Sequence, residues 1–421
     1  MSVMKNFGVV LRGRGIAAVL SVASTGLMAN ALSVRDFGLV ILVHTYLMVV
    51  RGALNFSTFE AVVRYGIPLA ESGEQSRLNG LLRATMVVDI AAAVIAMLIG
   101  MAAAPLAARN LHWEEGMAAW AVVYCLIILV TANGTSNGIL KMYDRFDALS
   151  VQFTVGPALR FVMVAAAWAL DAPMVVFLIA WGSAFAAGHI YLFVRGLVEL
   201  RARSDVPLWS GFRRADLVNR EEDFWKFIGV VYWQTNIDLL PKHVSTLLAG
   251  ALLGPAAAGL FRLAREFSTV LTQPAVMLRE VLFPDLTRSL HTEDGGFSKL
   301  PFRTALIAGS IGLAFAALSL LIGPPILRLV GEDYVQASAL LSLLLLAGAF
   351  DLAGASLRAA AYAMGRASTI LRIHILSITT YIAAFFLLTK TIGLNGPGFA
   401  AILGSLLALL LTGRLIARRV N

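Results

Sequence analysis

Apolar runs of about 20 residues recur along the whole chain, each long enough to cross roughly 30 Å of hydrocarbon as a helix. The spacing predicts helices at about 15–33, 37–58, 80–104, 117–139, 149–170 and 174–197. A second six are expected at about 225–252, 256–282, 303–325, 337–362, 370–391 and 396–416. Moving the first set by 221 residues lays it on the second. Local sequence follows the same shift. "LSVRDFGLVILV" (32–43) falls on "LLGPAAAGLFRLA" (252–264) and sets Gly38 on Gly259, while "YDRFDALS" (143–150) falls on "MGRASTIL" (364–371) and sets Arg145 on Arg366. A fixed period of this kind marks internal duplication. Six helices per copy is an even number, so both copies begin on the same side of the membrane and are parallel repeats. The expected fold is all-α and integral to the membrane, with about 12 transmembrane helices in two parallel six-helix repeats. The expected domains are an N-lobe at 1–198, a cytoplasmic linker at 199–224 and a C-lobe at 225–421.

Charge placement orients this arrangement. Only 14% of residues are charged, against about a quarter in soluble domains. The net charge of +9 suggests no nucleic-acid partner here, because its distribution follows the membrane. The N-terminus and the even-numbered connections carry 24 of the 34 Lys and Arg residues; the odd connections carry Arg35, Arg109, Arg328 and Lys390. By the positive-inside rule both termini are expected in the cytoplasm. The N-terminal segment, basic and followed by "ANA" at 29–31, imitates a cleavable signal peptide, but the repeat needs it as a permanent helix. The single cysteine, Cys125, excludes an internal disulfide framework.

The remaining six cations, Arg51, Arg160, Lys242, Arg262, Arg265 and Arg358, fall inside predicted helices. Each costs about 2.5–3.5 kcal/mol at a helix centre, so water or a partner must be at hand. Arg262, Arg265, Glu266, Thr269 and Gln273 form one helical stripe, and His44, Arg51, Asn55 and Thr58 form a sparser one. Ser21, Ser24 and Thr25 overlay Lys242, Ser245 and Thr246. The simplest geometry is a hydrated, electropositive cavity between the halves, lined by helices 1, 2, 7 and 8. Pro241 bends its helix at that level. Asp238 with Lys242, and Arg262 with Glu266, have the spacing of ion pairs, whereas Arg51, Arg160 and Arg265 have no acidic residue at i±4. Arg358, near the cytoplasmic end of its helix, reads as a snorkelling side chain. Asp89, His189 and His374 stand isolated in apolar sequence and read as packed, hydrogen-bonded groups. The expected substrate-binding residues are Arg51, Arg160, Lys242, Arg262, Arg265, Asn55, Thr269 and Gln273. Asp238, Glu266 and Asp351 are candidates for ion coupling.

The stretches "ALSVRDFGLVILV", "LNFSTFEAVVRYG", "LLGPAAAGLFRLAREF", "GILKMYDRFDALS" and "AAAYAMGRAS" resemble the Wzx-type oligosaccharide flippases of the multidrug/oligosaccharidyl-lipid/polysaccharide exporter superfamily. Many relatives carry an acidic residue about a turn before the "LLGP" region, where this chain has "HVSTLLAG". The resemblance implies a two-lobe, MATE-like transporter of the bacterial inner membrane. Such proteins move undecaprenyl-diphosphate-linked oligosaccharide repeat units to the periplasmic leaflet by alternating access. Lipid-linked oligosaccharide, membrane lipid and polysaccharide polymerases are the implied partners, with no cofactor and no metal. Arginines suit a diphosphate because they donate charge-assisted hydrogen bonds in pairs. A drug or metabolite exporter of the same superfamily is the alternative, but it calls for acidic and aromatic cavity residues, and cations outnumber acids here. A membrane-embedded polymerase or glycosyltransferase needs a catalytic constellation, and the sequence shows neither a nucleophile motif nor an acidic pair spaced for a metal.

Overall fold

The computed structural model describes residues 2–114, 116–203, 223–237, 243–269 and 296–420. Lys242, Gln273, Asp238 and Pro241 lie outside the described residues. The chain divides into two compact units. The first unit, Met1–Ala31 with Val43–Leu239, holds α1 (Ser2–Ala31), most of α2 (Val34–Ala53), α3 (Phe59–Glu71), α4 (Gln75–Asn110), α5 (Met117–Tyr124), α6 (Gly134–Met142), α7 (Phe146–Ala169), α8 (Met174–Arg201) and α9 (Phe224–Ile237). The second unit, Leu32–Leu42 with Leu240–Asn421, holds the start of α2 and then α10 (Ser245–Leu253), α11 (255–269), α12 (Gly296–Val330), α13 (Ser338–Ala363), α14 (Ala367–Ile392) and α15 (Gly396–Val420). Among the described residues there is no strand, as a lipid environment requires of an open chain: only a helix pairs its own backbone groups. Eight stretches among them are long and apolar enough to span a membrane, and one of these, Ala367–Ala417, contains α14 and most of α15. Their outer faces are apolar rather than polar: Leu306, Leu320, Leu321 and Leu329 of α12 and Leu98 and Leu106 of α4 are exposed. The protein is a multi-pass membrane protein.

The duplication is visible in the helix boundaries. Helices starting at residues 34, 117 and 146 recur 221 residues later, at 255, 338 and 367. The connection after α6 and the connection after α13 are the same turn. Asp144 (φ 55°) and Gly365 (φ 69°) both take the left-handed conformation. The next amides, of Arg145 and Arg366, bond back to Leu140 O at 2.8 Å and Ala361 O at 2.9 Å. This is a Schellman closure, and it returns the last carbonyls of each helix to a donor. Packing repeats as well. In the first unit α1 packs on α7, α4 on α5, α6 on α8 and α7 on α8; in the second, α10 packs on α14, α12 on α13, α13 on α15 and α14 on α15.

Two glycines brought together by the duplication also touch. In the second unit, a Cβ on Gly259 would lie 3.1 Å from Gly38 Cα, and a Cβ on Gly38 would overlap the Pro255 carbonyl. This close approach explains why Leu32–Leu42 belongs with the second unit although it begins the second helix of the first repeat. Phe37 adds an edge contact to Tyr334 at 5.8 Å. In the first unit, α9 is held by aromatic contacts to the α2–α3 region: Phe56 stacks on Tyr232 at 4.9 Å, and Arg64 lies 4.5 Å over the Phe227 ring. By these contacts α9 lies in the first compact unit.

The repeats differ in one respect. The segment expected as a single helix at 117–139 is broken: α5 passes into a 3-10 stretch at Cys125–Thr131, and α6 starts only after Ala132 and Asn133. Its counterpart α13 runs unbroken. The local sequences account for this. "TANGTS" (131–136) sets Thr131, Asn133 and Thr135 where α13 has Leu352, Gly354 and Ser356 in "LAGASL" (352–357), and hydroxyl and amide side chains compete for the backbone's own hydrogen bonds. The second helix, expected over 37–58, likewise stops at Ala53, and Ser57 (φ 48°) turns the chain into α3.

Candidate functional site

The two helix breaks of the first unit line a half-open cavity of about 140 Å³. Its wall includes Arg51 and Asn55 from the end of α2, Ser57 from the break, Asp89 from α4, and Asn133, Gly134 and Asn137 at the start of α6. Asp89 joins the breaks. It accepts the Thr58 hydroxyl at 2.5 Å on one oxygen, and the Thr135 amide and hydroxyl, both at 2.7 Å, on the other. The Thr135 amide is one of the orphan donors at the start of α6, so a carboxylate from another helix caps it. Gly134 is required beside it, since a Cβ there would strike Thr58 Oγ1 and lie 2.8 Å from Asp89 Oδ1. Asp89→Ala is expected to leave these buried donors unmet and lower stability by about 3 kcal/mol, with Asp89→Asn losing less; thermal unfolding in detergent measures both.

Arg51 stands differently. Its guanidinium lies 5.9 Å over the Phe185 ring, and its buried Nε has no hydrogen-bond partner. No ion pair among the described residues includes it. Asn137 Oδ1, also on the cavity wall, is buried without a partner too. Behind Phe185, His189 packs at 4.6 Å and takes a hydrogen bond from Asn133 Nδ2 at 2.6 Å on Nδ1. His44 lies 5.4 Å from Phe185 and 3.0 Å, Nδ1 to hydroxyl, from Tyr124. Aromatic rings and imidazoles thus fix the floor on which Arg51 rests.

Arg160 is in the same unit but is more engaged. Its Nε donates to Ser24 Oγ at 2.9 Å, and its charge sits 4.2 Å over the Trp181 ring. The second unit carries the matching contact: Tyr381, 221 residues on from Arg160, donates its hydroxyl to Ser245, 221 residues on from Ser24, at 2.9 Å.

In the second unit Arg262 and Glu266 form the expected i,i+4 pair at 2.8 Å. Arg265, one turn away, is neighboured by Tyr381 and Glu266. The Thr269 hydroxyl bonds to the Glu266 carbonyl at 2.5 Å within its own helix. Asp351 lies beside Ser405, Arg358 and His374. Arg358 does not snorkel: its Nη2 turns back to the Asp351 carbonyl at 3.1 Å. The structure therefore brings Arg51 and Asn55 into one cavity, sets Arg160 elsewhere in that unit, and places Arg262, Arg265, Glu266, Thr269 and Asp351 in the other unit. Asp89, Asn133 and Asn137 complete the cavity. Their one advance signal is an acid in the apolar run "TMVVDIAAAVIA", together with the helix-breaking "TANGTS".

No protein-family model matches the chain. Its fold is shared with transporters of the MOP superfamily. It superposes on an inward-facing multidrug resistance MATE family transporter with a TM-score of 0.74, covering 96% of this chain and 94% of that one at 15% identity. The lipid II flippase MurJ, inward closed, gives 0.65 over 96% and 86% of the two chains at 13% identity. A MOP superfamily transporter from Pyrococcus furiosus gives 0.64 over 100% and 95% at 14% identity. These likenesses define the class: a two-lobe, all-helical transporter fold. In sequence, the chain is similar to inner membrane protein YghQ of Escherichia coli K12, with 27% identity over 329 residues, 76% of this chain and 90% of that protein.

Proposed function

We propose that the protein is a flippase of the bacterial inner membrane, with both termini in the cytoplasm. It moves undecaprenyl-diphosphate-linked oligosaccharide repeat units from the cytoplasmic to the periplasmic leaflet by alternating access, for O-antigen, capsule or exopolysaccharide synthesis. The observation that carries this reading is Arg51, a half-buried guanidinium on a cavity wall whose buried Nε has no hydrogen-bond partner and which joins no ion pair among the described residues. The carboxylate on the same wall, Asp89, already has both oxygens bonded by Thr58 and Thr135, which leaves the guanidinium as the charge open to a ligand. A diphosphate supplies the acceptors that Arg51 lacks, and in a site of low dielectric such charge-assisted bonds are strong. The cavity takes the diphosphate headgroup, Asn55 and Asn137 offer amide groups to the first sugar, and the polyprenyl tail stays in lipid. The shared fold of the lipid II flippase MurJ supports a lipid-linked substrate.

Full-length protein reconstituted in liposomes is expected to carry a fluorescent lipid-linked oligosaccharide from the outer leaflet to a position protected from a membrane-impermeant quencher. Uptake of cationic drugs with no movement of the lipid would overturn the proposal.

A further inference from the structure

Phe59 lines the cavity and also carries a charge: the Lys141 ammonium lies 3.6 Å from the centre of its ring. Lys141 is half-buried and joins no ion pair or hydrogen bond among the described residues. An ammonium has three donors and is strongly hydrated, so an acceptor is what this position lacks. Packing holds it there. Gly138, one turn earlier on α6, lets that helix press on α3, since a Cβ would lie 2.5 Å from Val62 Cβ and 3.1 Å from the Phe59 carbonyl oxygen. A second cation is near, for the charges of Arg14 and Glu60 both act on Lys141. Arg14 is exposed and, like Lys141, rests on a ring, 5.1 Å over Phe153. Its helix is fixed at this point: Gly13 packs against Ser150, and its carbonyl oxygen accepts the Thr154 hydroxyl at 3.5 Å. Glu60 pairs with neither cation among the described residues. Two like charges held in electrostatic reach disfavour each other, and an anion bound between them reverses that sign.

We infer that Arg14 and Lys141 form a second anion site, outside the cavity, which takes the phosphate-bearing headgroup of the transported lipid before Arg51 does. Phe59 is the partition. Its ring belongs to the cavity wall and to the Lys141 contact alike, so a headgroup leaving the lysine has that ring to pass. Both cations come from segments that the proposed orientation sets at the cytoplasmic face, the side from which the substrate is taken. The identity of the anion rests on the flippase reading, whereas the paired cations stand on the geometry alone.

The first measurement is binding of inorganic pyrophosphate to purified full-length Arg51→Ala in detergent, which lacks the cavity guanidinium. Binding is expected to persist, to fall about tenfold on adding Lys141→Gln or Arg14→Gln, and to survive Lys141→Arg, which keeps the charge. No binding, or binding indifferent to Lys141→Gln and Arg14→Gln, overturns the inference. Competition separates the sources of phosphate. Displacement of pyrophosphate by undecaprenyl diphosphate in micelles supports capture of the transported lipid, whereas displacement by phosphatidylglycerol alone overturns it. The second measurement is flipping of lipid-linked oligosaccharide in liposomes. Lys141→Gln is expected to raise the half-saturating lipid concentration several-fold more than it lowers the maximal rate, a split that a merely unstable variant does not give. A lower maximal rate at unchanged half-saturation overturns the capture role. No flipping by the wild type overturns the flippase reading, while the pyrophosphate measurement still decides the anion site.

Discussion

Arg51→Ala is expected to yield a protein that inserts and folds normally but fails to export, with lipid-linked oligosaccharide stranded on the cytoplasmic leaflet. The residue forms no ion pair or hydrogen bond among the described residues, so its removal takes away only its contact with the Phe185 ring and relieves the cost of holding a charge at depth. On the proposed function, what is lost is a guanidinium–phosphate contact. Hydrogen bonds to charged groups contribute about 1.5–3 kcal/mol, so translocation is expected to fall about 10- to 100-fold at unchanged expression. Arg51→Lys keeps the charge but loses the planar fork that engages two oxygens at once, and is expected to fall between. The readout is the fraction of labelled lipid flipped by equal amounts of reconstituted protein. Wild-type rates in Arg51→Ala would refute the assignment.

The largest stability effect is expected at Gly38. Its Cβ position coincides with a backbone carbonyl, that of Pro255, rather than with a side chain that can swing away. Gly38→Leu therefore forces the start of α2 and the start of α11 apart. Overpacking a tight core costs about 1–3 kcal/mol and occasionally more, and at a backbone contact the upper end is expected. The variant should unfold at lower temperature in detergent and accumulate poorly in membranes. Gly229→Ala is the control: nothing lies within 4 Å of a Cβ there, and a helical interior gains by about 0.8–1.0 kcal/mol when Gly becomes Ala. Equal stability of the two variants would show that the glycine contact is not a constraint.

The duplication was legible in the sequence because lipid leaves a chain little freedom. Each crossing needs an apolar run of nearly fixed length, so a repeat in the fold is written as a repeat in hydropathy. Gly38 with Gly259, and Arg145 with Arg366, could be matched from their flanking residues, and the structure gives both pairs equivalent roles. The Arg262–Glu266 pair was legible too, since it lies within one turn of one helix. The cavity was not. A window of about 20 residues averages over "TANGTS" and reports one helix where there are two short ones and a gap. Asp89 looked isolated because its partners, Thr58 and Thr135, lie 31 and 46 residues away. Arg160 lacked an acid at i±4, but its hydroxyl partner is 136 residues distant. Local spacing tests only a residue's own helix, and polar groups at depth are satisfied mostly by other helices.

The hydrogen bond that Arg160 makes to Ser24, and that Tyr381 makes to Ser245, amounts to one socket wired twice. In one copy the plug is a permanent cation; in the other it is a neutral phenol. The helices around it hold the same neighbours in both cases, so the architecture is indifferent to what the socket carries. A single codon change at either place can therefore reset the electrical character of its lobe without redesigning the bundle, which gives a duplicated scaffold an inexpensive route from one cargo to another.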